Sequence, residues 1–167
     1  GESHSAAQPR RAPSTTGGGE PDLNPKYTFD QFVIGSTNRF AHAAALAVAE
    51  NPGTAYNPLV ICGPPGVGKT HLLHAIGTYL EHYGSGVRVR VTTAEAFAND
   101  FITAVRTKGM GAFKTRYRDI DVLLVDDVQF LMAKARTEEE FFHTFNAVRD
   151  AGAQVVVTSD RAPRDLA

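Results

Sequence analysis

A parallel α/β sheet with helices on both faces is predicted by three observations on the 167-residue chain. Short apolar runs of strand length alternate with segments whose apolar residues recur every three to four positions. One of these runs, Val122-Leu123-Leu124-Val125, is apolar at every residue, as a strand buried on both faces of a parallel sheet must be. Another, Leu59–Cys62, passes through a glycine-rich turn into a helical pattern. The resulting order is helix, strand, loop, helix, strand, helices, strand, helix, strand. With right-handed crossovers it gives a doubly wound sheet.

Length and composition suit one domain with a substantial core. Hydrophobic residues make up 43% and charged residues 21%, an ordinary globular balance. The net charge of −1 carries no overall basic field, so any nucleic-acid contact must be local. Cys62 is the one cysteine, which excludes an intramolecular disulfide and fits a reducing, cytoplasmic setting. Its place in an apolar strand predicts a small core residue. No apolar run approaches a membrane span, and the N-terminus lacks the apolar centre of a signal peptide.

In chain order, residues 1–22 are rich in Gly, Ser, Pro and Ala and nearly devoid of large apolar groups, so they read as a disordered linker. Arg10-Arg11 within it reads as a solvated pair. The fold begins near Leu23, with Tyr27, Phe29, Phe32, Val33 and Ile34 in an irregular segment closed by Gly35. Ser36 is the expected N-cap of a helix from about Asn38 to Glu50, stopped by Asn51-Pro52-Gly53. Phe32, Val33 and Asn38 precede the phosphate strand, where they could hold a base; core packing explains the two apolar ones equally well.

Gly63-Pro64-Pro65-Gly66-Val67-Gly68-Lys69-Thr70 matches G-x-x-x-x-G-K-[ST] in full. A chance match arises in roughly half a percent of chains this long, and the flanking strand and helix make chance rarer still. The residue types follow from phosphate chemistry. Gly63, Gly66 and Gly68 let backbone N–H groups approach an anion closely. The helix beginning near Lys69 aims its unpaired N–H groups and positive dipole end at that anion. Lys69 supplies a charge for the terminal phosphates, and the Thr70 hydroxyl can ligate Mg²⁺. The stretch therefore points to a nucleoside triphosphate, ATP, or its diphosphate ADP, with Mg²⁺; Val67 and His71 complete the set around the phosphates.

After that helix, Gly84 and Gly86 mark a turn, and Val87–Val91 alternates like a strand with one wet face. Thr92-Thr93-Ala94-Glu95 reads as a capping box before a helix carrying Phe97, Phe101, Ile102 and Val105. Lys108-Gly109-Met110-Gly111 interrupts it, and Phe113–Arg118 forms a short basic helix with a solvated face. Asp126 and Asp127 then emerge at the C-terminal end of the apolar strand, where open α/β sheets place their ligands. Paired acids there are costly unless a cation or water chemistry uses them. Asp126 is placed to hold Mg²⁺ and Asp127 to orient the attacking water. Thr137-Glu138-Glu139-Glu140 reads as a second capping box, opening a helix with Phe141, Phe142, Phe145 and Val148 inside. His143 on it reads as a half-exposed residue and not a ligand. Gln154–Thr158 is the last strand, and Ser159-Asp160-Arg161 at its end either contacts the γ-phosphate or merely turns toward Pro163.

From about Leu23 to Ala167 the chain resembles the nucleotide-binding domain of the DnaA family, the bacterial chromosomal replication initiators, which are AAA+ proteins. The resemblance is carried by YTFDQFVIGSTNRFAHAAALAVAE, GKTHLLHAIG, YRDIDVLLVDDVQFL and EEEFFHTFNAVRDAGAQVVVTSDRAP. It implies that Asp126 is the magnesium acid, that Asp127 orients water and that Asp160 senses the γ-phosphate. It also implies that the last strand lies between the strands carrying the phosphate loop and the paired acids. Thr93–Arg118 would match the initiator-specific insertion, which helps ATP-bound subunits assemble into a filament on origin DNA. Ile102, Lys134, Arg136 and Thr137 fall where the family contacts single-stranded DNA; the replicative helicase machinery is a further implied partner.

Two departures qualify the expectation. Pro64-Pro65 stands where the family usually has an acid and a serine. The chain also stops before the family's strand flanking Leu59–Cys62, its arginine finger, helical lid and helix-turn-helix domain, which predicts a fragment with an open sheet edge at Leu59–Cys62 and, were it the whole product, very slow hydrolysis. Competing readings are a related helicase-loader ATPase and a non-hydrolysing interaction module.

Overall fold

The structure is a computed structural model, described here for residues 22–132 and 134–161. The expected linker up to residue 21, Arg10 and Arg11 with it, and Pro163 lie outside those residues. Four strands form one sheet: β1 (Leu59–Cys62), β2 (Val89–Thr93), β3 (Val122–Asp126) and β4 (Gln154–Ser159). Their order is β1-β4-β3-β2 and every pairing is parallel. The last strand in sequence thus lies between the strand leading into the glycine loop and the strand ending in the two acids, as the resemblance implied. Leu59 pairs with Val156, and Leu124 with Val156 from the other side. This register brings the C-terminal ends of β1, β4 and β3 to one rim.

Helices cover both faces. On one face α1 (Arg39–Glu50) and α2 (Lys69–Tyr83) pack against Leu59, Ile61, Val122, Leu124 and Val156. On the other, α3 (Ala94–Arg106), α4 (Met110–Arg116), a 3-10 turn at Val128–Leu131 and α5 (Ala135–Asp150) cover Leu123, Val125, Val155 and Val157. The alternation is the period of two in an extended chain. An aromatic cluster fills this second face: Phe97 meets Phe113, Tyr117 and Phe141, each with ring centroids 5.3–5.5 Å apart in edge-on geometry.

Several local expectations are corrected. The cap of α1 is Asn38, not Ser36; its Oδ1 accepts the Gly35 N–H at 2.7 Å and its Nδ2 donates to the Val33 carbonyl at 3.1 Å, folding the turn onto itself. β2 begins at Val89, because the Asp121 carboxylate takes the Arg88 N–H at 2.8 Å just before the ladder starts. Its supposed wet face is partly covered, with Arg90 lying 5.3 Å over the Tyr117 ring. The cap of α3 is Thr93, accepting from Ala96 N at 3.0 Å, one residue later than the expected box. α5 starts at Ala135, so Thr137 lies inside its first turn and is buried. Cys62 is exposed rather than in the core, since it sits at the rim of β1, an edge strand among the described residues. His143 is exposed on α5.

Phe97 is the hub of the aromatic cluster and 1% exposed. Phe97→Ala should lower unfolding free energy by about 3–5 kcal/mol in urea titration, whereas Phe130→Ala, on the exposed 3-10 turn, should cost a small fraction of that.

Candidate functional site

The rim gathers the glycine loop, the start of α2, and the ends of β3 and β4. Gly66 and Gly68 have φ of 90° and 93°, a region side chains rarely enter. Gly68 is doubly constrained, since a Cβ there would stand 2.6 Å from Phe32 Cε2. Phe32, buried, therefore seals the loop from outside. Lys69 is buried for a lysine, and its Nζ donates to the carbonyls of Gly63 at 2.6 Å and Pro64 at 3.0 Å. The ammonium thus lies along the loop it would share with a phosphate.

Asp126 is the buried acid, 6% exposed. Its Oδ2 accepts from the Thr70 hydroxyl at 2.7 Å and its Oδ1 from the Thr158 hydroxyl. Thr158 Oγ1 in turn accepts the Asp127 N–H at 2.8 Å. Asp127 leaves the strand at φ 60° and is exposed as a residue, with its carboxylate only partly desolvated. Desolvation, then the Asp126 charge, pushes the Asp127 acid above the usual carboxylate range; Asp160 adds to this, while Gln129 and Lys69 oppose it.

The expected residues divide into those the fold brings together and those it does not. Gly63, Gly66, Val67, Gly68, Lys69, Thr70, Asp126, Asp127 and Asp160 all lie at or beside the rim. Asp160 is exposed at the end of β4, with its N–H held by Gln129 and its carboxylate 3.8 Å from Arg161 Nε. His71 is engaged by the segment before α1: its Nε2 is 2.6 Å from the Thr28 carbonyl and its ring stacks on Tyr27 at 5.0 Å. Val33 is 84% exposed, open to a ligand, while the Asn38 side chain is engaged in its own turn. Ile102, Lys134 and Arg136 are exposed on the α3–α5 face, Lys134 lying 4.0 Å over the Phe130 ring. Thr137 on the same face is buried and does not present its hydroxyl.

Two rim residues escaped the sequence reading. Thr158 looks like one more β-branched residue of a buried strand, and Gln129 like a surface residue after an acid pair. A hydroxyl directly after three consecutive valines, one position before the strand's end, was the available signal for the first.

The donor set suits magnesium. One hydroxyl and one carboxylate converge at Thr70 and Asp126, and no group of three or more His, Cys, Asp or Glu able to hold a metal occurs among the described residues. Mg²⁺ is commonly bound that sparsely, through one carboxylate plus substrate phosphates and water.

Strand, glycine loop, helix N-terminus and rim acids, with the fourth strand between the first and third, define a P-loop nucleotide-binding domain of the AAA+ kind. The family profile described as the bacterial DnaA ATPase domain matches residues 23–167. The chain is 60% identical over 144 residues to the chromosomal replication initiator protein DnaA of Cutibacterium acnes, covering 86% of this chain and 29% of that protein. It is 53% identical over 160 residues to that of Deinococcus radiodurans, covering 96% and 34%. Domain III of the Thermotoga maritima replication initiation protein DnaA superposes with a TM-score of 0.84 at 47% identity, over 88% of this chain and 61% of that one. A replication initiator DnaA bound to AMPPCP and single-stranded DNA gives 0.80 at 42%, over 86% and 44%. The chain belongs to the bacterial DnaA ATPase domain family, and it spans about a third of the length of the two initiator proteins it matches in sequence.

The raised acid of Asp127 fixes a sign. The folded chain binds that proton more tightly than the unfolded chain, so ionised Asp127 disfavours folding at neutral pH, and the penalty is relieved as pH falls through the raised value. Asp127→Asn should therefore raise the thermal midpoint at pH 7, with the gain shrinking toward zero below the carboxylate range. A midpoint unchanged or lowered at pH 7 contradicts this.

Proposed function

We propose that this chain is the ATP-binding domain of a cytoplasmic chromosomal replication initiator, in which nucleotide controls assembly on DNA and hydrolysis is slow. The observation that carries the reading is the junction of Thr70, Asp126 and Thr158, which joins the phosphate-loop helix to the two central strands through one carboxylate. Both initiators at 53% and 60% identity favour this over a helicase-loader reading.

In this reading the Gly63–Thr70 backbone and the N-terminus of α2 cradle the β- and γ-phosphates, and Lys69 exchanges its loop carbonyls for phosphate oxygens. Thr70 and Asp126 hold Mg²⁺, which supplies charge neutralisation between the phosphates. Asp127 orients a water and Asp160 contacts the γ-phosphate. Val33, with Asn38 shaping its turn, lies against the base. The AMPPCP-bound relatives support a triphosphate ligand, and the one that also holds single-stranded DNA supports the second partner. Lys134 and Arg136 offer two exposed cations for DNA phosphates and Ile102 an aliphatic surface for sugars. Thr137 joins them only through a shift of the α5 first turn. ATP-dependent filament formation and contact with the replicative helicase machinery follow the same reading for the longer protein.

Lys69→Ala should weaken ATP and ADP binding roughly ten- to a hundredfold, the worth of a charge-assisted hydrogen bond, measured by titration with a fluorescent nucleotide. Equal affinities would remove the premise. Arg136→Ala should weaken ATP-dependent binding to single-stranded DNA and make the dependence of log affinity on log salt shallower by about 0.7, measured by anisotropy across a salt series. Binding indifferent to nucleotide would count against the initiator reading.

A further inference from the structure

The acid at the end of β3 and the acid at the end of β4 are joined by one side chain. Gln129 sits in the 3-10 turn; its Nε2 donates to Asp127 Oδ1 at 3.3 Å and its Oε1 accepts the Asp160 N–H at 3.2 Å. Chemistry fixes which way the amide points. Reversed, its oxygen would face a carboxylate oxygen and its NH₂ would face an N–H.

Glutamine is singular at this place. Glutamate could accept from Asp160 but would set a second negative charge against Asp127. Lysine could donate to Asp127 but offers Asp160 nothing. The backbone of Asp127 is already held, since its N–H is bonded to Thr158 Oγ1. What Gln129 adds is a hold on the carboxylate itself. A second tie runs in parallel: Arg161 Nη1 lies 3.4 Å from Met132 Sδ, fastening the residue after the 3-10 turn to the residue after Asp160. The turn with its flanking residues and the end of β4 are therefore joined beyond the sheet ladder by these contacts.

We propose that Gln129 is a positioning residue that makes the orientation of the Asp127 carboxylate depend on the end of β4, so that a terminal phosphate contacted at Asp160 is felt at Asp127. Asp160 is exposed at the rim end of β4, while Asp127 leaves its strand at a positive φ. The two acids meet through the Gln129 amide, which spans the gap between them. A diphosphate, which lacks the group nearest Asp160, leaves the bridge in its resting geometry. A triphosphate displaces the Asp160 end, and the rigid planar amide carries the displacement to Asp127. This inference rests on the nucleotide reading above.

The test is a set of ¹H–¹⁵N spectra of the chain and of Gln129→Leu and Gln129→Glu, each titrated with Mg²⁺–ADP and with Mg²⁺–AMPPCP. In the unsubstituted chain the Asp127 and Asp160 amides and the Gln129 side-chain amide should all differ between the two nucleotides. In Gln129→Leu the difference should persist at Asp160 and be lost at Asp127. In Gln129→Glu it should again be lost at Asp127, while the nucleotide-free Asp160 amide stays near its original position, because a carboxylate still accepts its N–H. A difference at Asp127 that survives in both variants overturns the proposal. So does a general loss of signals with a lowered thermal midpoint in both, which marks a merely structural residue. Should Gln129→Leu alone fail to fold, Gln129→Glu decides the matter. Absence of any shift at Gly63–Thr70 with either nucleotide removes the nucleotide reading, and this inference with it; shifts there without loss at Asp127 in the variants remove only this inference.

Discussion

The structure turns on the buried carboxylate of Asp126. A charged group at 6% exposure is costly unless its oxygens are occupied, and here each oxygen accepts a hydroxyl, one from Thr70 and one from Thr158. Those two hydroxyls belong to the first turn of α2 and to β4. One side chain on β3 thereby joins the helix that follows the glycine loop to the two strands that end beneath it. Because Thr158 also takes the Asp127 N–H, the direction in which the second acid leaves the strand is set by the same residue. The acids differ in surroundings for this reason: one is enclosed and bonded, while the other is exposed as a residue and raised by partial desolvation of its carboxylate and then by the Asp126 charge.

A second set of contacts closes the outer side of the phosphate loop. Asn24 N–H donates to His74 Nδ1 at 2.9 Å, and the Thr28 carbonyl lies 2.6 Å from His71 Nε2. Burial holds His74 below the usual histidine range, with Asp126 opposing and His71 adding to the shift, and the neutral ring is the form that can accept Asn24. These bonds lay Tyr27–Phe32 along α2, so that Phe32 rests on Gly68 and stacks on His42 at 5.5 Å. The aromatic segment before α1 is thus a wall beside the glycine loop, and Val33, at its exposed end, is open to solvent.

Much of the fold was legible because its signals are local. A four-residue apolar run, a glycine loop matching phosphate geometry and aromatic spacing on α3 and α5 need no partner to be recognised. The failures were boundaries and exposures that depend on a partner. Thr137 carries a capping signature, yet α5 opens two residues earlier and buries it against the second face. Cys62 reads as core by its neighbours, but the neighbour that decides exposure is the adjacent strand, and β1 has one on a single side among the described residues. Val87 and Arg88 read as strand until Asp121, 33 residues on, takes the Arg88 N–H.

By itself the sequence determined the kinds of element and their order and marked the candidate phosphate-binding groups, since backbone geometry and phosphate charge select residue types directly. Only the tertiary structure decided how those groups meet. Thr158 and Gln129 gain their roles from the insertion of β4 beside β3, which places residues some 30 positions apart in sequence within hydrogen-bond reach. Hydrogen bonds act over about 3 Å, so a residue's part in such a site is fixed by which strand becomes its neighbour, and strand order is a property of the whole chain.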